Sequence, residues 1–236
     1  SVRKTGHMAI VFYDLMGRDG RNFSPYCWRT RLSLAHKGLD FDHRGTAFTE
    51  IKEVGGENFR TVPIIEDDGH MIGDSFAIAE YLEDKYPDRP SLFGGDMGLA
   101  LCKFVHSWTN SVVHPGVANL VLLDIYNHVC DQDRDYIRAS REKIFGMPLE
   151  DVQAGREDRV ESFRASLHPL RLTVRGQEFL GGERSNYADY IVFGALQWAR
   201  TISDFRLLTD DDPVFAWFKR VGDLFDGMGR EAPGYY

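Results

Sequence analysis

FSPYCWRTRLSLAHKGLDF, residues 23–41, is the stretch on which the fold turns. Ser24 ahead of Pro25 marks a helix start. A hydroxyl at the N-cap accepts from an early backbone N–H, and proline suits the first helical position because its missing donor is not needed there. Trp28, Leu32 and Ala35 then recur at helical spacing, and Gly38 supplies the stop. The tetrapeptide S-P-Y-C has the spacing at which redox proteins carry two cysteines. Here serine holds the first place and Cys27 the second. A hydroxyl has replaced the attacking thiol.

Upstream, AIVFYDL (9–15) is β-branched and aromatic, a strand pattern, and MGRDGRN (16–22) is a glycine-rich loop. Downstream, LDFDHR (39–44) alternates apolar and polar residues as a half-buried strand does. TVPIIEDDGHMIGDS (61–75) reads as a hairpin around D-D-G-H. SFAIAEYLEDKYP (75–87) reads as an amphipathic helix with Ala77, Ala79, Tyr81 and Leu82 on its packed side and Pro87 at its end. The order β-α-β, an irregular stretch, then β-β-α is thioredoxin-like. DRPSLFGGD (88–96), rich in proline and glycine, reads as a linker. Beyond it the strand pattern stops, and 97–125, 133–145, 150–175, 188–203 and 213–227 read as helices, the first kinked at Pro115. The expected fold is therefore a thioredoxin-like α/β domain over 8–88 followed by an all-α domain over 97–236.

Bulk properties narrow the function classes. The chain has 236 residues, 43% of them hydrophobic and 27% charged, enough for one large domain or two small ones. A net charge of −8 with scattered Lys and Arg argues against a nucleic-acid partner. No apolar run reaches the roughly 18 residues of a membrane span. The opening SVRKTGHM is polar and basic, has no apolar stretch of signal-peptide type behind it, and resembles an expression scar; residues 1–7 are set aside. Cys27, Cys102 and Cys130 form neither a disulfide framework nor a metal-ligand spacing, so a reducing cytoplasm is expected. The eight histidines are dispersed, without H-E-x-x-H, and no metal is expected.

Three local features carry chemistry. At a helix start the backbone N–H groups and the macrodipole favour negative charge, so the Ser24 hydroxyl suits donation to an incoming thiolate. Val62-Pro63 at a strand start is awkward for a regular ladder, and a cis bond there would offer the backbone of Val62 to an extended, peptide-like ligand. Asp74-Ser75 suits the two charges of an α-amino acid end, Asp74 for the ammonium and Ser75, as helix cap, for the carboxylate. Each feature also has a purely structural reading: a plain cap, an edge-strand proline, an ordinary Asp-Ser helix start.

Taken together, in that order, they resemble the glutathione S-transferases, and the resemblance extends over nearly all of residues 9–233. SPYCWRTRLSLAHKGLDF, TVPII, DSFAIAEYLEDKYPDRPSLF and FLGGERSNYADYIVFG look like that family's first helix start, cis-proline loop, γ-glutamyl clamp and C-terminal capping box. In the last of these, Asn186 as N-cap and Asp189 three residues on would satisfy orphan donors. SPYCWRT, QDRDYIRASRE, EDVQAGREDR and LTDDDPVFAWFKRVGDLFDGMGR look like the bacterial β-aryl etherases and their fungal serine-type relatives. The etherases carry a longer C-terminal tail, so the electrophile stays open.

The resemblance implies glutathione as co-substrate and a small hydrophobic, aromatic electrophile. Ser24 is the thiolate stabiliser and Val62, before cis Pro63, the backbone partner of the glutathione cysteine. Asp74 and Ser75 hold the γ-glutamyl end, and Lys52, with Arg60 as competitor, holds the glycine carboxylate. Asn22 is a candidate helper of Ser24. An acceptor pocket is expected between the domains, roofed by Trp108, Ser111, Val112 and Pro115, in a homodimer. Two alternatives stand beside the transferase: a carrier that keeps the tripeptide site, and a thiol oxidoreductase using Cys27.

Overall fold

Strand β1 (Ile10–Leu15) runs through the middle of a four-stranded sheet of order β2-β1-β3-β4. The computed structural model describes residues 9–236, so the scar-like opening lies outside the described residues. β2 (Phe41–Thr46) pairs parallel to β1 with Ile10 opposite Phe41, while β3 (Ile64–Asp67) pairs antiparallel with Tyr13 opposite Ile64. β4 (His70–Gly73) closes the hairpin on β3. Helix α1 (Pro25–His36) makes the crossover between β1 and β2, the short α2 (Ile51–Gly55) follows β2, and α3 (Ser75–Lys85) follows β4. The thioredoxin-like expectation holds.

Two details differ from the sequence pattern. β2 begins at Phe41 rather than Leu39, and Asp42 to Gly45 are exposed rather than alternating. It is an edge strand, with less of its surface covered than a half-buried central strand. On α3 the packed side is Phe76, Ile78, Ala79 and Leu82, and Ala77 faces solvent. Asp74, the N-cap before Ser75, sets the phase.

The proline- and glycine-rich connection is bolted down. Leu92 and Phe93 are buried, the Leu92 N–H donates to Glu83 Oε2 at 2.8 Å, and the Leu92 carbonyl accepts from Tyr187 N at 2.9 Å. Glu83 also accepts from the Ser91 hydroxyl and pairs at 2.9 Å with Lys37, whose ammonium is otherwise buried. Phe93 packs on Phe76 and Tyr187.

The second unit is helical: α4 (Asp96–Trp108), α5 (His114–His128), α6 (Arg134–Phe145), α7 (Leu149–Gln153), α8 (Arg156–Ser166), α9 (His168–Gly176), α10 (Tyr187–Ile202) and α11 (Pro213–Gly227). The kink expected at Pro115 lies before it. A π-helical turn, Thr109–Val113, joins α4 to α5, and Pro115 sits in the first turn of α5, where its missing donor costs nothing. The single helix read over 150–175 is three, broken at Gly155 with φ 66° and at Leu167.

Helix α10 is the core of this unit, buried at almost every position. Its capping box is as the sequence indicates: Asn186 accepts from Ala188 N and Asp189 from Asn186 N, both at 3.0 Å. It packs directly on α1. Gly194 lies so close that a Cβ there would meet the Pro25 carbonyl oxygen at 2.3 Å, and Phe193 meets Trp28 edge to face. The second unit thus touches the first at the start of α1.

Candidate active site

The α1 start is the centre of the site. Ser24 is its N-cap, 6% exposed, and its Oγ accepts from Cys27 N at 3.2 Å. That bond uses a lone pair. The same side chain also hydrogen-bonds the Cys27 thiol, an interaction that favours the thiolate. Ser24 borders a cavity of 410 Å³ between the two units. Phe23, Tyr26, Phe48, Ile51 and Val62 form one wall; His114, Ala118, Leu122, Tyr136, Phe145 and Trp198 form the other. The site is an oriented hydroxyl at a positive helix end, facing aromatic walls.

The other sequence candidates fall in several places. Val62 lines the cavity and its bond to Pro63 is cis; Pro63 is buried behind it. Asp74, not Ser75, is the N-cap of α3. Its φ is 69° and its Oδ1 accepts from Phe76 N and Ala77 N at 3.0 and 2.9 Å. Ser75 occupies the first helical position, buried, with its carbonyl accepting from the Tyr187 hydroxyl at 3.0 Å. Both stand at a second positive helix end, outside the 410 Å³ cavity. Lys52 is exposed on α2 and also outside the cavity, whereas Arg60 lines it.

Two candidates are occupied elsewhere. Cys27 is fully buried, and burial, followed by the nearby Asp14 charge, pushes its thiol well above the usual range. It is a packing residue. The Asn22 amide donates to the Leu15 carbonyl at 3.0 Å and accepts from Arg31 at 3.2 Å, so it does not assist Ser24.

The expected roof is displaced. Trp108 lies in a separate hollow with Phe104 and Leu170, and Ser111 is exposed, donating to the Ser107 carbonyl at 2.7 Å. The π-helical turn rotates the face of the following helix. His114, Ala118, Leu122 and Ile125, spaced for one side of α5, point into the cavity instead.

Tyr26 and His114 are residues the sequence reading missed. Arg29, fully buried, places Nη2 3.3 Å from His114 Nε2, 3.1 Å from Asn110 Oδ1, and Nη1 3.1 Å from His106 Nδ1. Guanidinium only donates, so His114 Nε2 accepts. His114 is neutral: burial, then the charges of Arg29 and His106, push its pKa down to about 3. Its proton is therefore on Nδ1, 3.2 Å from the Tyr26 oxygen, and Nδ1–H donates to that oxygen. The phenol hydrogen of Tyr26 is left free to point into the cavity. Arg29, three residues after Tyr26 and so on the same face of the helix, was the available signal.

Among the described residues no cluster of three or more His, Cys, Asp or Glu is arranged to hold a metal, and no helix is long and apolar enough to cross a membrane.

Comparison with known proteins follows this division. Residues 20–90 match the family described as glutathione S-transferase, N-terminal domain, and residues 100–221, over half the chain, match glutathione S-transferase, C-terminal domain. The chain is similar to maleylacetoacetate isomerase of Dictyostelium discoideum, 30% identical over 111 residues that cover 43% of this chain and 49% of that protein. The match thus spans about half the length of that relative. Its fold is similar to glutathione transferase GSTFuA3 from Phanerochaete chrysosporium, with a TM-score of 0.80 and 23% identity over 92% of this chain and 97% of that one. It is also similar to the glutathione S-transferase CsGST63524 of Ceriporiopsis subvermispora, solved in complex with glutathione, with a TM-score of 0.76 and 25% identity over 96% and 99% of the two chains.

Proposed function

Because the chain belongs to the glutathione S-transferase family, we propose that it is a transferase that activates glutathione toward a hydrophobic, aromatic electrophile, with β-aryl ether cleavage the reaction favoured by the sequence resemblance. The observation that carries this is Ser24. Its oxygen caps a helix start, where the macrodipole favours a thiolate, and it faces a cavity with aromatic walls. Bound glutathione supplies the attacking sulfur.

The residues present fit the tripeptide. Ser24 donates to the sulfur at the positive end of α1, and the backbone of Val62, set by cis Pro63, pairs with the extended middle. Asp74 takes the α-ammonium, and Ser75, with its hydroxyl and its own N–H at the first position of α3, takes the α-carboxylate. Lys52 remains a candidate for the glycine carboxylate, but Arg60, beside Val62 in the cavity, is better placed. The Tyr26 hydroxyl is a second donor in the same cavity, suited to the electrophile's leaving oxygen. Residues 8–88 are then the glutathione-binding domain and 97–236 the substrate domain.

A carrier has no use for a hydroxyl at that helix start, and an oxidoreductase lacks an accessible thiol at Cys27. Calorimetry should show glutathione binding in the micromolar-to-millimolar range. No heat at several millimolar overturns the reading.

We also propose a homodimer. Met97, Leu101 and Phe104, at i, i+4 and i+7 on α4, are 81%, 63% and 71% exposed, an apolar stripe of the kind partners cover. Light scattering at micromolar concentration should give twice the chain mass; a monomer mass refutes it. Three free cysteines suit the reducing cytoplasm in which we place the protein.

A further inference from the structure

The chain carries a net charge of −8, yet its cavity is lined by two arginines and by no carboxylate. Arg60 and Arg141 both border it, and among the described residues neither has a carboxylate within the 4.0 Å of an ion pair. This is unusual for the neighbourhood. On the same helix Arg134 pairs with Asp131, and Arg138 with Glu142 and Glu150. Among the described residues Arg141 donates only to Ser140 Oγ, at 3.0 Å, and its guanidinium lies 5.8 Å from the centre of the Phe48 ring.

Phe48 links that cation to the reacting end. Its ring lies 6.4 Å from Phe23, the residue before Ser24, and 5.9 Å from Tyr136. Phe145 and Trp198 complete the aromatic lining, and His114 is neutral. A half-buried guanidinium beside a low-dielectric aromatic wall binds an anion better than the same group in water, and its planar fork matches a carboxylate.

Glutathione brings a carboxylate for Arg60, which adjoins Val62. Arg141 is then left over. We propose that the second substrate is an aromatic acid, its ring against Phe48 and Trp198 and its carboxylate on Arg141. This rests on the transferase reading, which makes the cavity the electrophile's site, and it makes Arg141 the specificity-determining residue.

The test is a binding comparison of two unreactive isosteres, 3-nitrobenzoate and 3-nitrobenzamide, by calorimetry and by quenching of tryptophan fluorescence. The benzoate should bind about tenfold more tightly than the amide, a preference that shrinks with salt. Arg141→Gln should abolish the preference, Arg141→Lys should keep part of it, and Arg60→Gln should keep it while weakening glutathione. Equal binding of acid and amide by the unaltered protein overturns the proposal. So does a preference that survives in Arg141→Gln, or one that disappears in Arg60→Gln alone. A separate glutathione titration keeps the two readings apart: its failure removes the transferase reading, while the acid-to-amide ratio still decides the role of Arg141.

Discussion

Replacing Asp189 by alanine should remove about 3–5 kcal/mol of stability, because it strands several buried N–H donors at about 1–3 kcal/mol each, partly relieved by relaxation. The side chain is fully buried, and among the described residues no cation pairs with it. Four N–H groups hold it instead: Leu180 at 2.7 Å, Gly181 at 3.1 Å, Asn186 at 3.0 Å and the Trp217 indole at 2.8 Å. Burial pulls its pKa up and those donors pull it back, with burial the larger influence. Alanine leaves all four donors dry. For a chain of this size the melting temperature should fall on the order of 10 °C. Asparagine, which keeps an acceptor, should lose less. Urea or thermal unfolding reads both, and a loss under about 1 kcal/mol for alanine would mean that water replaces the carboxylate.

Ser24→Ala should lower turnover roughly tenfold to a hundredfold and raise the pKa of the bound thiol, because one hydrogen bond to a charged group contributes about 1.5–3 kcal/mol. Glutathione affinity should be nearly intact, since the Val62 backbone, Asp74 and Ser75 lie elsewhere along the ligand. Alanine also removes the cap bond to Cys27 N, which costs about 1 kcal/mol of stability. Ser24→Gly separates the two roles. Glycine at an N-cap costs only a few tenths of a kcal/mol but has no hydroxyl. If Ser24 activates the thiol, glycine should be stable and slow. A glycine variant with full turnover and an unchanged thiolate absorbance would reduce Ser24 to a cap.

What could be read from the sequence was what short-range chemistry fixes. Ser24 with Pro25, the Gly38 stop at φ 61°, and Asn186 with Asp189 all rest on hydrogen bonds or backbone geometry within a few residues, and each is where the letters put it. The cis Val62-Pro63 bond was legible for the same reason. The cavity wall was not. It depends on a π-helical turn that no residue between Thr109 and Val113 announces, and that turn exchanges Trp108 and Ser111 for His114 and Ala118. The Tyr26–His114–Arg29 chain joins residues 85 and 88 positions apart, beyond any periodicity. Likewise Leu92 and Phe93 look like linker until the ring of Tyr187 arrives against Phe93. The choice of Asp74 over Ser75 as cap goes with a positive φ at Asp74, a conformation aspartate adopts more readily than serine.

The contact between Gly194 and the Pro25 carbonyl bears on how this protein can be taken apart. The two units follow one another in the chain and invite exchange between relatives as building blocks. Yet the backbone of α10 rests on the first turn of α1, next to the hydroxyl that faces the cavity. Any side chain at position 194 would press on the Pro25 oxygen and shift Ser24 with it. A hybrid built by cutting in the 88–96 connection therefore inherits a working helix start only if the incoming second half brings glycine at that position. The seam of this molecule runs through α10, not through the linker.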